Sequence, residues 1–326
     1  MLSFLGVVAG IVTLIIGGGL LVRGASEIAT RLGVSPLVVG LTVVGFGTSA
    51  PELVINVVGA LRGETAIAFG NVVGSNISNL ALVLGVAILI APIRIQGQLV
   101  RREVPLLLLA TTVITVMALD NVLEGLPAII GRSEGVILVS IFCVFAYINV
   151  LELVDARVSD QLITDIAHNP VVEADPHSRF RWLFVIGGMA LLAVGGEMTV
   201  RNGVSIAASL GVSPAIVGLF LIGVGTSMPE LATSIVAATR GESDLALGNV
   251  VGSNIFNSLI VLPASSIISQ VPVPNGGVGD LMLSLFLTAI LVPIFLFGDA
   301  RLGRKEGIFL LTLYIGYATT RIYTAA

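Results

Sequence analysis

One stretch of this chain occurs twice, and that repeat limits the possible folds more than any other feature. Gly33–Asn79 returns as Gly211–Asn257, shifted by 178 residues and without a gap. About 29 of the 47 positions are identical in the two copies, a fixed-spacing self-match that marks a duplicated architecture. Gly-Thr-Ser-x-Pro-Glu stands at Gly47–Glu52 and again at Gly225–Glu230. Gly-Asn-Val-Val-Gly-Ser-Asn-Ile-x-Asn stands at Gly70–Asn79 and again at Gly248–Asn257. Two copies of one site therefore exist in one chain.

Both copies lie in long apolar runs, so composition decides the solvent. With 56% hydrophobic and 11% charged residues, the chain is far from soluble domains, where about a quarter of residues are charged. It reads as a polytopic membrane protein whose first partner is the lipid bilayer. The net charge of −4 says little, because in such proteins the placement of charge matters more than its sum. Nothing marks a nucleic-acid binder. The single cysteine, Cys143, lies in an apolar run without a disulfide partner and reads as a buried, inert thiol.

Apolar runs near the roughly 20 residues that cross a bilayer fall at 4–22, 36–61, 66–91, 103–119 and 131–151. A second set falls at 181–199, 213–239, 244–269, 279–297 and 306–323. The opening run lacks a basic flank and is too long for a signal segment, so it counts as a span. The expected fold is thus an all-α membrane protein with ten transmembrane helices in two five-helix repeats, 1–151 and 181–326. Residues 152–180 are the only long polar stretch and read as the linker between them.

Basic residues set the orientation. With the N-terminus outside, inner loops carry Arg23, Arg31, Arg94, Arg101, Arg102, Arg157, Arg179, Arg181, Arg240, Arg301, Arg304 and Lys305. The outer side keeps only Arg62, Arg132, Arg201 and Arg321. Twelve against four places both termini outside and the linker in the cytoplasm. Five spans per half is an odd number, so the second repeat is inverted, an arrangement in which secondary transporters place a site at the repeat interface. Compactness points to the inner membrane of a prokaryote.

The chemistry sits in the repeated motifs. Pro51 has no amide hydrogen, so the Gly47 carbonyl loses its helical partner beside Thr48 and Ser49, and Glu52 follows directly. Pro229 does the same beside Thr226, Ser227 and Glu230. Asn71, Ser75 and Asn79 recur every four residues and share a helix face, as do Asn249, Ser253 and Asn257. Gly70 and Gly74, with Gly248 and Gly252, give small edges for close helix packing. The ligands on offer are all oxygens, which suits hard cations such as calcium or sodium. One calcium ion, two sodium ions or protons would each balance the two glutamates. Mutually exclusive ways to neutralise one pair are a physical basis for exchange.

The paired motifs GTSAPE with GNVVGSNISN, and GTSMPE with GNVVGSNIFN, resemble the two alpha-repeats of the sodium/calcium exchanger branch of the cation/calcium exchangers. The resemblance covers essentially the whole chain. It implies a sodium/calcium antiporter, with no cofactor, that works by alternating access as the first and sixth helices slide across a fixed core. It also implies a central calcium shared by Glu52 and Glu230, with Thr48, Thr226, Ser49 and Ser227 adding oxygens. Ser75, Ser253, Asn79 and Asn257 would complete sodium positions. Several relatives carry aspartate where this chain has Asn257, so the site is less negative here, which argues against potassium dependence.

Other readings stand beside this one. A proton/calcium exchanger would share the architecture, and a cation channel would use the glutamates as a filter. Broken helices in inverted repeats favour the transporter, and no nucleophile–base pair or metalloprotease motif suggests an enzyme. Asn76 and Asn254 read as interhelical glue, while Asn71 and Asn249 stay open. Arg62-Gly63-Glu64 and Arg240-Gly241-Glu242 read as plain loop residues, and His168, Glu173, Asp175 and His177 as a solvated linker.

Overall fold

Glycine spacing decides which helices touch. The computed structural model describes residues 2–94, 99–123, 125, 127–167, 178–210, 225–297 and 301–325. The first long helix, α1 (Leu2–Leu32), runs antiparallel to α7 (Ser178–Ser209), and every seventh residue of the seam is small or presents only backbone. A Cβ built on Gly17 would lie 2.9 Å from the Gly188 carbonyl oxygen, and one on Gly10 would lie 3.0 Å from that of Gly195. Gly24 meets the Arg181 carbonyl in the same way, at 2.9 Å. Without side chains between them the two backbones lock together, which is how helices associate where lipid removes the hydrophobic drive. The outer face of α1 leaves Leu2, Phe4, Val12 and Ile15 exposed, as a lipid-facing surface requires.

The second apolar run is a broken helix. α2 (Pro36–Thr48) and α3 (Ala50–Leu61) meet at Ser49 with a 42° bend, and Ser49 itself leaves helical geometry at φ −88°, ψ 7°. Pro51 falls in the first turn of α3, where its missing amide costs no hydrogen bond. The second copy repeats this: α8 (Met228–Thr239) opens after Ser227 at φ −83°, ψ 7°, with Pro229 in its first turn. The preceding part of that run, 211–224, lies outside the described residues.

Two helices form the centre. α4 (Ala66–Ile77) continues through a π-helical stretch, Ser78–Val83, into Leu84–Ile90. α9 (Ser243–Phe256) continues likewise through Asn257–Val261 into Leu262–Ile268. Their spanning windows are 72% and 89% buried, against 33% for α1 and for α7. The site motifs therefore sit in a core that α1 and α7 border. The expected glycine edge is present on α9: a Cβ built on Gly248 would lie 2.7 Å from the Leu37 carbonyl oxygen, and Gly252 lies against the backbone of Leu41. On α4, Gly70 meets nothing within 4 Å among the described residues. The repeat places the counterpart of Leu37–Gly40 at 215–218, outside them.

The remaining helices are α5 (Val104–Met117), α6 (Arg132–Ala167), α10 (Gly277–Phe297) and α11 (Arg304–Ala325). Two short antiparallel ribbons tie the halves together. β1 (Ile93–Arg94) pairs with β4 (Arg301–Leu302), and β2 (Ile129–Ile130) with β3 (Val271–Pro272). Each joins a loop of one repeat to a non-equivalent loop of the other, since the 178-residue shift carries Ile93 of β1 onto Val271 of β3 and not onto β4. Among the described residues five helices are long and apolar enough to span a membrane, and the α2–α3 pair makes a sixth.

One expectation needs correction. Cys143, read as buried, is exposed on α6 beside the exposed Val144, because that face of α6 points away from the protein core. The stretch read as linker begins as helix, since α6 runs on to Ala167. Its remaining named residues, His168, Glu173, Asp175 and His177, lie outside the described residues.

Candidate cation site between the repeats

Glu52 and Glu230 stand in the first turns of α3 and α8, and both are completely buried. The breaks at Ser49 and Ser227 put them there. At Ser49 one helix ends and another starts in mid-run, and α8 likewise starts after Ser227, so in both copies the new first turn projects its carboxylate into the core. An N-terminal turn also carries partial positive charge, which favours a carboxylate. Neither glutamate forms a salt bridge among the described residues. Both oxygens of Glu52 and Oε2 of Glu230 lack a hydrogen-bond partner there. A buried carboxylate left in that condition is costly, since even translocon scales put a central Asp near +3 kcal/mol.

The polar side chains around them bond across the repeats. Ser49 Oγ donates to Glu230 Oε1 at 2.9 Å, and Ser253 Oγ reaches the same oxygen at 3.5 Å. Thr48 Oγ1 lies 3.0 Å from Asn249 Oδ1 and 3.3 Å from Ser253 Oγ. Ser75 Oγ meets Thr226 Oγ1 at 3.0 Å. Three residues of the first motif pair, Thr48, Ser49 and Ser75, thus touch residues of the second.

The backbone takes part at one point different from the one expected. Proline chemistry singles out the Gly47 carbonyl, yet the oxygen that receives side-chain bonds is Gly45 O, from Thr48 Oγ1 at 3.2 Å and Ser253 Oγ at 3.1 Å. The reason is packing. Gly45 has no Cβ, and one built there would lie 2.8 Å from the Ser253 amide nitrogen, so α9 can approach this turn closely enough to bond it.

The asparagines divide into three groups. Asn76 and Asn254 are the glue expected of them: Asn76 Nδ2 donates to Ser258 Oγ at 2.9 Å, and Asn254 Nδ2 to the Asn76 carbonyl at 3.1 Å. Asn71 and Asn249, left open by the sequence, hold the broken helices. Asn71 Nδ2 donates to Asn56 Oδ1 at 2.7 Å, and Asn249 Nδ2 to Ser234 Oγ at 2.9 Å and the Glu230 carbonyl at 3.2 Å. Asn56 and Ser234 were missed, although both follow their glutamates by four residues and so share their helix face. Asn79 and Asn257 differ from each other. Asn79 Nδ2 donates to Asn254 Oδ1 at 3.0 Å, whereas Asn257 is fully buried with neither side-chain polar atom bonded among the described residues. Both fall in π-helical stretches, a widening of the helix frequent at functional sites.

Arg62, Glu64, Arg240 and Glu242 were read alike as loop residues, and the second pair is more than that. Arg240 Nη1 donates to the Gly19 carbonyl of α1 at 2.9 Å, and Ser26 Oγ of α1 donates to Glu242 Oε1 at 2.7 Å.

A site of this kind, built from buried carboxylate, hydroxyl and amide oxygens without protein cations, is suited to holding and releasing hard cations. Comparison with known proteins agrees. The family model for sodium/calcium exchanger protein matches residues 2–151 and 180–323. A putative antiporter, CaxA of Alkalimonas amylolytica, is 36% identical, over 95% of this chain and 96% of its own. The sodium/calcium exchanger MaX1 of Methanosarcina acetivorans is 29% identical, over 98% and 99%. Among solved structures, the sodium-calcium exchanger NCX_Mj soaked with sodium and calcium aligns at a TM-score of 0.79 with 28% identity, over 97% of each chain. These matches cover both repeats, and they are transporters and not enzymes. The chain is an integral, multi-pass membrane protein of the sodium/calcium exchanger family, whose activity is cation/calcium exchange.

Proposed function

We propose that this exchanger carries sodium in one direction and calcium in the other, by alternating access, through a single site centred on Glu52 and Glu230. The observation that carries the reading is the pair of fully buried carboxylates, one from each repeat, with no salt bridge to either among the described residues. The missing charge then has to arrive with the transported ions. One calcium or two sodium ions balance the pair, so occupancy by one excludes the other. Thr48, Ser49, Thr226 and Ser227 would line the central position, and Ser75, Ser253, Asn79 and Asn257 the flanking ones. Hydroxyls that now bond each other or a carboxylate can turn to a cation without moving their helices. The names of MaX1 and of the NCX_Mj structure support sodium as the counter-ion.

The same reading has ten spans in two inverted repeats, both termini outside and a cytoplasmic linker, in the inner membrane of a prokaryote. The cross-repeat ribbons and the mirrored breaks at Ser49 and Ser227 support the inversion. The test is calcium uptake into proteoliposomes loaded with sodium, compared with sodium-free vesicles that carry only a pH gradient. Uptake driven by outward sodium is expected, and its loss in Glu52→Ala or Glu230→Ala. Uptake driven by the pH gradient and indifferent to sodium makes the protein a proton/calcium exchanger instead. Flux that needs no counter-ion would make it a channel.

A further inference from the structure

The two repeats match in sequence, yet α1 and α7 are seated differently against them. α1 fills a groove beside α8 and α9, where Leu14, Val22 and Ala25 pack with Val236, Ala237 and Ala246. A Cβ on Gly18 would lie 3.3 Å from the Ala232 carbonyl oxygen. Subtracting the repeat of 178 residues turns that groove into Val54, Val58, Gly59, Arg62, Glu64 and Ala68. Those residues line a cavity of about 300 Å³ beside α3 and α4. Val54 is 60% exposed and Val58 37%.

The same shift carried upstream aligns α1 with α7. Leu14 falls on Leu192, Gly17 and Gly18 on Gly195 and Gly196, and Val22-Arg23 on Val200-Arg201. A Cβ built on Gly196, the counterpart of Gly18, would lie 3.8 Å from Met228 and Pro229 and would not meet α3. Among the described residues, the groove that α1 occupies in one repeat is thus open in the other, and α7 carries the matching surface.

One position of that surface differs in chemistry. Arg240 holds α1 by donating to the Gly19 carbonyl, and a Cβ on Gly19 would lie 3.1 Å from Arg240 Nη2. The counterpart of Gly19 is Glu197, and that of Arg240 is Arg62. Glu197, Arg62 and Glu64 are all exposed, and no salt bridge joins any of them among the described residues. An exposed carboxylate within a spanning helix has a cost unless some state of the protein pairs it.

We propose that the groove beside α3 is the second seat of the α1–α7 pair, taken by α7 in the opposite-facing state, and that Arg62 and Glu197 form an ion pair there. The proposal rests on the alternating-access reading and adds a residue pair that biases its equilibrium. The two seats are not equally fastened. This one is held by Arg240 to a backbone carbonyl and by Glu242 to Ser26. The other would be held by one ion pair alone, because the counterpart of Ser26 is Val204.

The test reads the position of α7 by thiol labelling. In a Cys143→Ser background, Val58→Cys reports whether the groove is open, with Val54→Cys as a second probe, using a small membrane-impermeant maleimide on reconstituted protein. Arg240→Ala removes the hydrogen bond to the Gly19 carbonyl and releases the seat seen here, and labelling should slow by about two- to fivefold, the reach of one partly exposed charged contact. Adding Glu197→Gln or Arg62→Ala should restore the fast rate. Exchanging the charges, Arg62→Glu with Glu197→Arg, should keep it slow. Labelling that ignores Arg240→Ala, or that stays slow with Glu197→Gln, overturns the pair. Sodium-driven calcium flux in the same vesicles reports the exchange reading separately, since the labelling depends on helix position whatever ion is carried.

Discussion

The closest approach of a glycine to a neighbouring backbone predicts the largest effect from the smallest substitution. A Cβ placed on Gly252 would sit 2.6 Å from Leu41 Cα and 2.7 Å from its carbonyl carbon, and nearer still to the carbonyl oxygen. Real Cβ contacts rarely fall below 3.4 Å, so Gly252→Ala must push α2 and α9 apart by most of an ångström. The obstacle is backbone, which no rotamer change relieves. Overpacking of this kind costs about 1–3 kcal/mol, or roughly a 5- to 150-fold fall in the folded-to-unfolded ratio.

Function should suffer with stability, because α2 carries Thr48 and Ser49. Their bonds to Asn249 and Glu230, at 3.0 and 2.9 Å, cannot survive a shift near 1 Å. The measurement is thermal unfolding of purified protein with and without calcium, beside Gly279→Ala, a glycine with nothing within 4 Å. Gly252→Ala should melt several degrees lower and lose most of the calcium-induced rise, while Gly279→Ala should match the parent in both. A Gly252→Ala protein with the parent's melting point and calcium response would refute the argument that backbone contact positions the site.

Ser49→Ala removes the 2.9 Å hydrogen bond to Glu230 and a candidate ligand together; a bond to a charged group is worth about 1.5–3 kcal/mol, so apparent calcium affinity in a transport titration should fall about 10- to 100-fold. Asn254→Ala breaks the bonds to Asn79 and to the Asn76 carbonyl; a loss of about 1–3 kcal/mol should appear as a lower melting point whether or not calcium is present. Because a hard cation requires ionised carboxylates, binding releases protons; calcium uptake at fixed sodium gradient should therefore fall as pH is lowered, and Glu52→Gln should abolish uptake at every pH instead of shifting the profile.

Much of this site was legible because duplication marks it. A lone serine in a membrane helix carries no message, since it can bond its own backbone. Ser75 and Ser253 recur beside intramembrane glutamates, and the structure joins them to Thr226, Thr48 and Glu230. The breaks at Ser49 and Ser227 were readable from Pro51 and Pro229, because proline acts on its own helix. What escaped depended on neighbours. Gly45 supplies the recruited carbonyl because α9 crosses there, and no local rule picks it over Gly47. The π-helical stretch at Asn79 contains no proline or glycine to announce it. Cys143 was misjudged because an apolar run that faces lipid looks like one that faces the core.

Contacts between the halves explain why two copies are needed at all. Ser49 bonds Glu230, Thr48 bonds Asn249, Ser75 meets Thr226, and Asn76 meets Ser258. Each pair joins the first repeat to the second, so neither half presents a finished site alone. Near-identical motifs need not behave identically, however: Glu230 accepts from Ser49 while both Glu52 oxygens are bare among the described residues. On the proposed alternating-access reading, an inverted pair seated asymmetrically would have a second arrangement of comparable energy, in which the repeats exchange conformations and the site opens to the opposite face. The differences at Gly19 against Glu197, and Ser26 against Val204, would keep the two arrangements from being equal. Mutations far from the carboxylates, at those four positions, should therefore shift which face the site prefers while leaving its ligands untouched.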